Sequence, residues 1–166
     1  MNAPRLDFAA IAPIAFTGFG ALVVLLGEVW LSRRKTFLGR EVTEVWIGTV
    51  LAMLSAVFLG LAIYAAGATF AGGASITFDI DNPMLRLDAF ASHATAPIGV
   101  ASFVVCWLSI AYLAVLRINH GEYYALLLLS TAGMFLLVGS IDLLALFLGL
   151  ELMSIPLYVM AGFDRR

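Results

Sequence analysis

What most constrains this chain is a fivefold recurrence of apolar stretches, each about as long as a bilayer is thick. A helix needs about 20 predominantly apolar residues to cross the roughly 30 Å hydrocarbon core. Five segments reach or approach that length: Phe8–Leu31, Val45–Ala71, Ala94–Leu116, Tyr123–Gly139 and Leu143–Phe163. The first holds Glu28 near its end, the fifth holds Glu151, and the other three carry no charge. The last two are separated only by Ser140, Ile141 and Asp142, which predicts a tight helical hairpin.

Composition agrees with this reading. Of 166 residues, 63% are hydrophobic and 12% charged, against about 45–50% and about 25% in soluble domains. The formal net charge of −2 and the lack of a basic run argue against a nucleic-acid partner. Cys106 is the only cysteine, which excludes an intramolecular disulfide and argues against a metal site built on thiolates. The first apolar stretch ends in Arg33-Arg34-Lys35 rather than a small-residue cleavage site, so it reads as a retained helix and not a signal peptide. The chain is expected to be an all-α membrane protein, a single membrane domain over residues 1–166, with an outer loop over 72–92.

Loop charge sets the expected orientation. Arg33, Arg34, Lys35, Arg40, Arg117, Arg165 and Arg166 fall on one side of the five spans, and only Arg5 and Arg86 on the other. The N-terminus is therefore expected outside and the C-terminus in the cytoplasm. Trp30 and Trp46 flank the basic first loop, where an aromatic belt is expected, and Tyr123 and Tyr124 open the fourth helix on the same side. In the outer loop, Ile76–Asp81 alternates apolar and polar residues before Asn82-Pro83, a pattern for a short β-hairpin.

Glu151 is the residue that composition does not explain. An ionisable side chain at the bilayer centre costs about 2.5–3.5 kcal/mol on insertion scales, and such residues mark ion or proton pathways. Helical spacing groups it with Phe147, Leu148, Ser154, Ile155 and Tyr158. Ser154 and Tyr158 are thus candidate hydrogen-bond partners of the acid. Pro156 has no backbone N–H, which leaves the Leu152 carbonyl without its helical donor and predicts a kink beside the acid.

Other polar residues have plainer readings. Asp142 is placed to cap the fifth helix, and Glu28 can reach the interface. Asp88, His93 and His120 read as surface residues, and Cys106 as a small apolar filler. Gly18, Gly20 and Gly27 permit close helix approach. No glycine-rich phosphate loop, cysteine cluster or histidine pair is present, so no bound NAD, flavin, haem, iron–sulfur cluster or metal is expected in this chain.

The run Gly121-Glu122-Tyr123-Tyr124-Ala125-Leu126-Leu127, followed by Ser130-Thr131-Ala132-Gly133-Met134, resembles the fourth helix of subunit N of NADH-quinone oxidoreductase, respiratory complex I. Asp142-Leu143-Leu144 and Phe147-Leu148-Gly149-Leu150-Glu151-Leu152-Met153-Ser154-Ile155-Pro156-Leu157-Tyr158 are similar to its fifth helix. Leu150, where related subunits carry Trp, favours subunit N over subunits M and L. Arg86-Leu87-Asp88-Ala89-Phe90 is also similar.

The resemblance implies an antiporter-like subunit of the proton-pumping enzyme in a bacterial inner membrane, with other membrane-arm subunits as partners. NADH, FMN, iron–sulfur clusters and quinone would belong to other subunits, so this chain would carry out no redox chemistry. Glu151 takes the place of the family's proton-relay glutamate, which pairs with a lysine on a later helix. Such subunits run to roughly fourteen helices, so the chain reads as an N-terminal fragment, expected not to conduct protons alone. A subunit of a multi-subunit sodium/proton antiporter and a non-transporting structural scaffold are the alternatives.

Overall fold

The computed structural model describes residues 7–34, 40–71, 75–79, 83–116 and 120–163. A 3-10 turn at Phe8–Ile11 leads into α1 (Ala12–Arg34), which is followed by α2 (Arg40–Ala71). Two short strands, β1 (Ile76–Thr77) and β2 (Arg86–Leu87), precede α3 (Ala89–Leu116), α4 (His120–Gly139) and α5 (Leu143–Gly162). Each of the five helices contains a stretch long and apolar enough to cross a membrane: Phe8–Leu31, Trp46–Thr69, Ala89–Leu113, Gly121–Gly139 and Leu143–Gly162. Helices satisfy their own backbone polar groups, which hydrocarbon cannot do for them. The chain is a multi-pass membrane protein.

α4 is the axis of the bundle. It packs on α1, α2, α3 and α5, and it is the most enclosed of the five helices. α5 leans chiefly on α4 and is the least enclosed. The core between α1, α2, α3 and α4 centres on Val24, Leu51, Leu59, Cys106, Leu113, Tyr124 and Leu128, all nearly inaccessible. Tyr124, expected at the interface, is turned into this core and is 0% exposed. Trp30 and Trp46 remain exposed.

Without a hydrophobic force between helices in lipid, close packing and interhelical hydrogen bonds hold the bundle. Thr131 Oγ1 donates to Ser102 Oγ at 2.9 Å, joining α4 to α3. Ser109 Oγ donates to the Tyr123 hydroxyl at 3.0 Å across the same pair. Cys106 Sγ lies 3.4 Å from the Ala52 carbonyl of α2. Of the three α1 glycines expected at close approaches, Gly20 is pressed against the Phe58 ring, Gly27 is in ordinary contact with Leu51, and Gly18 faces open space.

One end of the bundle is capped by the strand pair, antiparallel with Ile76 opposite Leu87 and Thr77 opposite Arg86. The turn expected at Asn82 lies outside the described residues. The pair is stitched to its surroundings: Asp7 N donates to the Phe78 carbonyl, and Ile141 N to the Met84 carbonyl. Asp7 and the α4–α5 junction are therefore tied to residues flanking the same strand pair. Asp142 accepts from Leu144 N at 3.1 Å, the capping role expected of it. Asp88 caps α3 in the same way through Ala91 N at 2.8 Å, so it is more than the surface residue that sequence suggested.

Candidate functional site around Glu151

The site begins with two glycines. In the α4–α5 hairpin Gly133 faces Leu152 and Met153, and Gly149 faces Leu137, nearer the junction. A Cβ built on Gly133 would fall on Met153 N of α5 and come within 2.8 Å of the Leu152 carbonyl carbon. A Cβ on Gly149 would lie 2.9 Å from Leu137 N. Only glycine lets the two backbones approach this closely. Ser130 Oγ adds a hydrogen bond to the Met153 carbonyl at 3.3 Å.

Glu151 sits beside this seam, two residues from Gly149 and next to Leu152. It lies near the middle of α5 (Leu143–Gly162), next to the stretch that packs on Gly133 of α4. It is half-buried, while Phe147, Leu148 and Ile155 on its own face are all exposed. Among the described residues, no hydrogen bond or ion pair reaches its carboxylate.

Among the described residues, neither hydroxyl grouped with it by spacing hydrogen-bonds to its carboxylate. Ser154 Oγ donates to the Glu151 backbone carbonyl at 3.4 Å, and so is directed to the main chain rather than to the carboxylate. Tyr158 is 75% exposed, on the outer side of α5. Pro156 is buried against the bundle, and α5 runs unbroken through it from Leu143 to Gly162. The Leu152 carbonyl, deprived of its donor by Pro156, belongs to the stretch pressed against Gly133. What the arrangement offers is a carboxylate at mid-depth, held by a tight helix pair and open on its outer flank to a proton donor or cation.

Sequence reasoning passed over two features. One is the glycine seam, whose signal is one glycine in each of two helices joined by a short junction. The other is the contact made by Glu28, half-buried in α1, whose side chain covers Gly121 in the first turn of α4. There the carboxylate faces the positive end of the helix dipole. No local signal links the two residues, which are far apart in sequence. Among the described residues, no group of three or more His, Cys, Asp or Glu is placed to hold a metal ion.

No family model matches the chain. The chain is similar to NADH-quinone oxidoreductase subunit N 1 of Sorangium cellulosum, with 32% identity over 162 residues. It is a distant homologue of that subunit. The match takes in 95% of this chain, so all five helices fall within it, and not only the α4–α5 region. The chain spans 31% of the length of this subunit N relative.

Proposed function

We propose that this chain is a membrane-arm component of a proton-pumping NADH-quinone oxidoreductase, with Glu151 as its proton-relay carboxylate. One observation carries the reading: in a homologue of subunit N, the sole charge within α5 stands at mid-depth beside a rigid glycine seam. A mid-membrane carboxylate is expensive, and it persists where charge must pass. The seam fixes the acid's position, as a relay requires, and its outer flank is free to meet the cationic partner that would let it take up and release a proton. Ser154 and Tyr158 serve as hydroxyls near that route, and Pro156 supplies a main-chain acceptor at Leu152.

In this reading the N-terminus is outside and the C-terminus cytoplasmic, in a bacterial inner membrane. The partners are other membrane-arm subunits and the bilayer. Redox cofactors and quinone reside in those partners, and this chain contributes to proton translocation coupled to quinone reduction.

The test is Glu151→Gln in membranes of the source cell. NADH oxidation by an artificial acceptor should be unchanged, while NADH-driven acidification of inverted vesicles should fall several-fold. Full proton pumping in the Gln variant, or failure of an affinity-tagged chain to co-purify with NADH-oxidising activity, would overturn the assignment.

A further inference from the structure

α5 is apolar on every side, and it leans chiefly on one neighbour, α4. Apolar packing alone does not fix how such a helix is turned about its axis. That rotation decides whether the Glu151 carboxylate points toward α4 or stays on its open flank. Two directional contacts join the helices beside the acid. Gly133 presses on Leu152 and Met153, and Ser130 Oγ donates to the Met153 carbonyl at 3.3 Å. Residues three apart share a helix face, so Ser130 and Gly133 grip the same short stretch, directly after Glu151.

That stretch is where α5 supports itself least. Pro156 offers no N–H to the Leu152 carbonyl, so the turn after Glu151 lacks one of its own bonds. A buried serine in a helix can bond the carbonyl four residues back, as Ser55 and Ser109 do. Ser130 is 1% exposed, and its hydroxyl crosses to α5 instead. The adjacent Thr131 serves the other side of α4, donating to Leu127 of its own helix and to Ser102 of α3. An interhelical hydrogen bond adds little to the stability of a membrane bundle. A single buried polar group can nevertheless specify the register of packed helices. We propose that Ser130 is a positioning residue for Glu151, acting through the Met153 carbonyl to set the rotation of α5. Its effect on placement stands on this geometry, and its consequence for proton transfer rests on the relay role proposed above.

The test reads the carboxyl C=O stretch of Glu151 by infrared spectroscopy, on the purified full chain in lipid vesicles under acidic conditions. Subtracting the matching Glu151→Gln spectrum isolates the band. Ser130→Ala introduces a better helix former, so α4 is retained, and circular dichroism checks it. This variant should shift or broaden the band. Thr131→Val removes the neighbouring hydroxyl, whose bond to α3 is the shorter of the two, and should leave the band in place. An unchanged band in Ser130→Ala, or an equal change in Thr131→Val, would overturn the proposal, since general loosening of the bundle moves both. In vesicles carrying the assembled enzyme, Ser130→Ala should lower proton pumping severalfold and Thr131→Val should not. Intact pumping in Glu151→Gln would overturn the relay role alone. Pumping lost in Glu151→Gln but intact in Ser130→Ala would overturn the positioning role.

Discussion

Gly133 of α4 and Met153 of α5 meet backbone to backbone, with no room for a side chain between them. The neighbour is main chain, so it cannot swing aside as a flexible side chain would. Gly133→Ala is therefore expected to destabilise the bundle by about 1–3 kcal/mol, the range of overpacking in well-packed interiors. Gly60→Ala is the control, because nothing lies within 4 Å of its Cβ position. Unfolding in mixed micelles should show a lowered midpoint for the first variant and none for the second. Equal midpoints would mean that the seam is looser than this geometry.

A second expectation concerns Glu28 and Gly121. Glu28→Gln removes a negative charge from the N-terminus of α4 and should cost about 0.3–1 kcal/mol. Gly121→Ala forces the same carboxylate away from its place, so the two changes remove overlapping interactions. The double variant should be less destabilised than the sum of the singles, as contacting residues are. Strict additivity in unfolding free energies would show that the carboxylate does not act on that helix end.

The spans were legible because the bilayer imposes a length, and the apolar residues that meet it are unmistakable. Helix ends were less so. α2 starts at Arg40 rather than Val45, ahead of the apolar stretch that begins at Trp46, and α3 starts at Ala89 rather than Ala94, where Asp88 caps it. Glu151 stood out as the only charge in its helix. Its surroundings did not, since a helix apolar on every side gives no clue to its rotation. Spacing alone offered Tyr158 as a partner, and among the described residues no hydrogen bond joins it to the acid. The Glu28–Gly121 relation joins distant parts of the chain, and only folding brings them together.

The orientation can be read chemically. Ser75 is exposed beside the strand pair, and Glu122 is exposed at the opposite end of the bundle. Cys106 is 1% exposed, so the parent chain gives little background with a thiol reagent. In intact cells, Ser75→Cys should react with a membrane-impermeant maleimide, and Glu122→Cys should react only after permeabilisation. The reverse pattern would invert the proposed topology.

The final expectation sets stability against function at Glu151. Its carboxylate lies at mid-depth, and no hydrogen bond or ion pair reaches it among the described residues. Replacing it with Leu removes a group that costs about 2.5–3.5 kcal/mol at a helix centre on insertion scales. Leu also adds apolar surface on a flank already lined by Phe147, Leu148 and Ile155. Glu151→Leu should therefore make the purified chain more resistant to unfolding in bicelles, by an amount of order 1 kcal/mol or more. Under the proposed relay role, the same change should lower proton pumping in vesicles carrying the assembled enzyme. A residue kept for packing would give the opposite pair of results, a weakened bundle with pumping intact. Opposite signs in the two measurements would mark Glu151 as retained for its chemistry at the expense of stability, and a loss of stability in bicelles would refute that account.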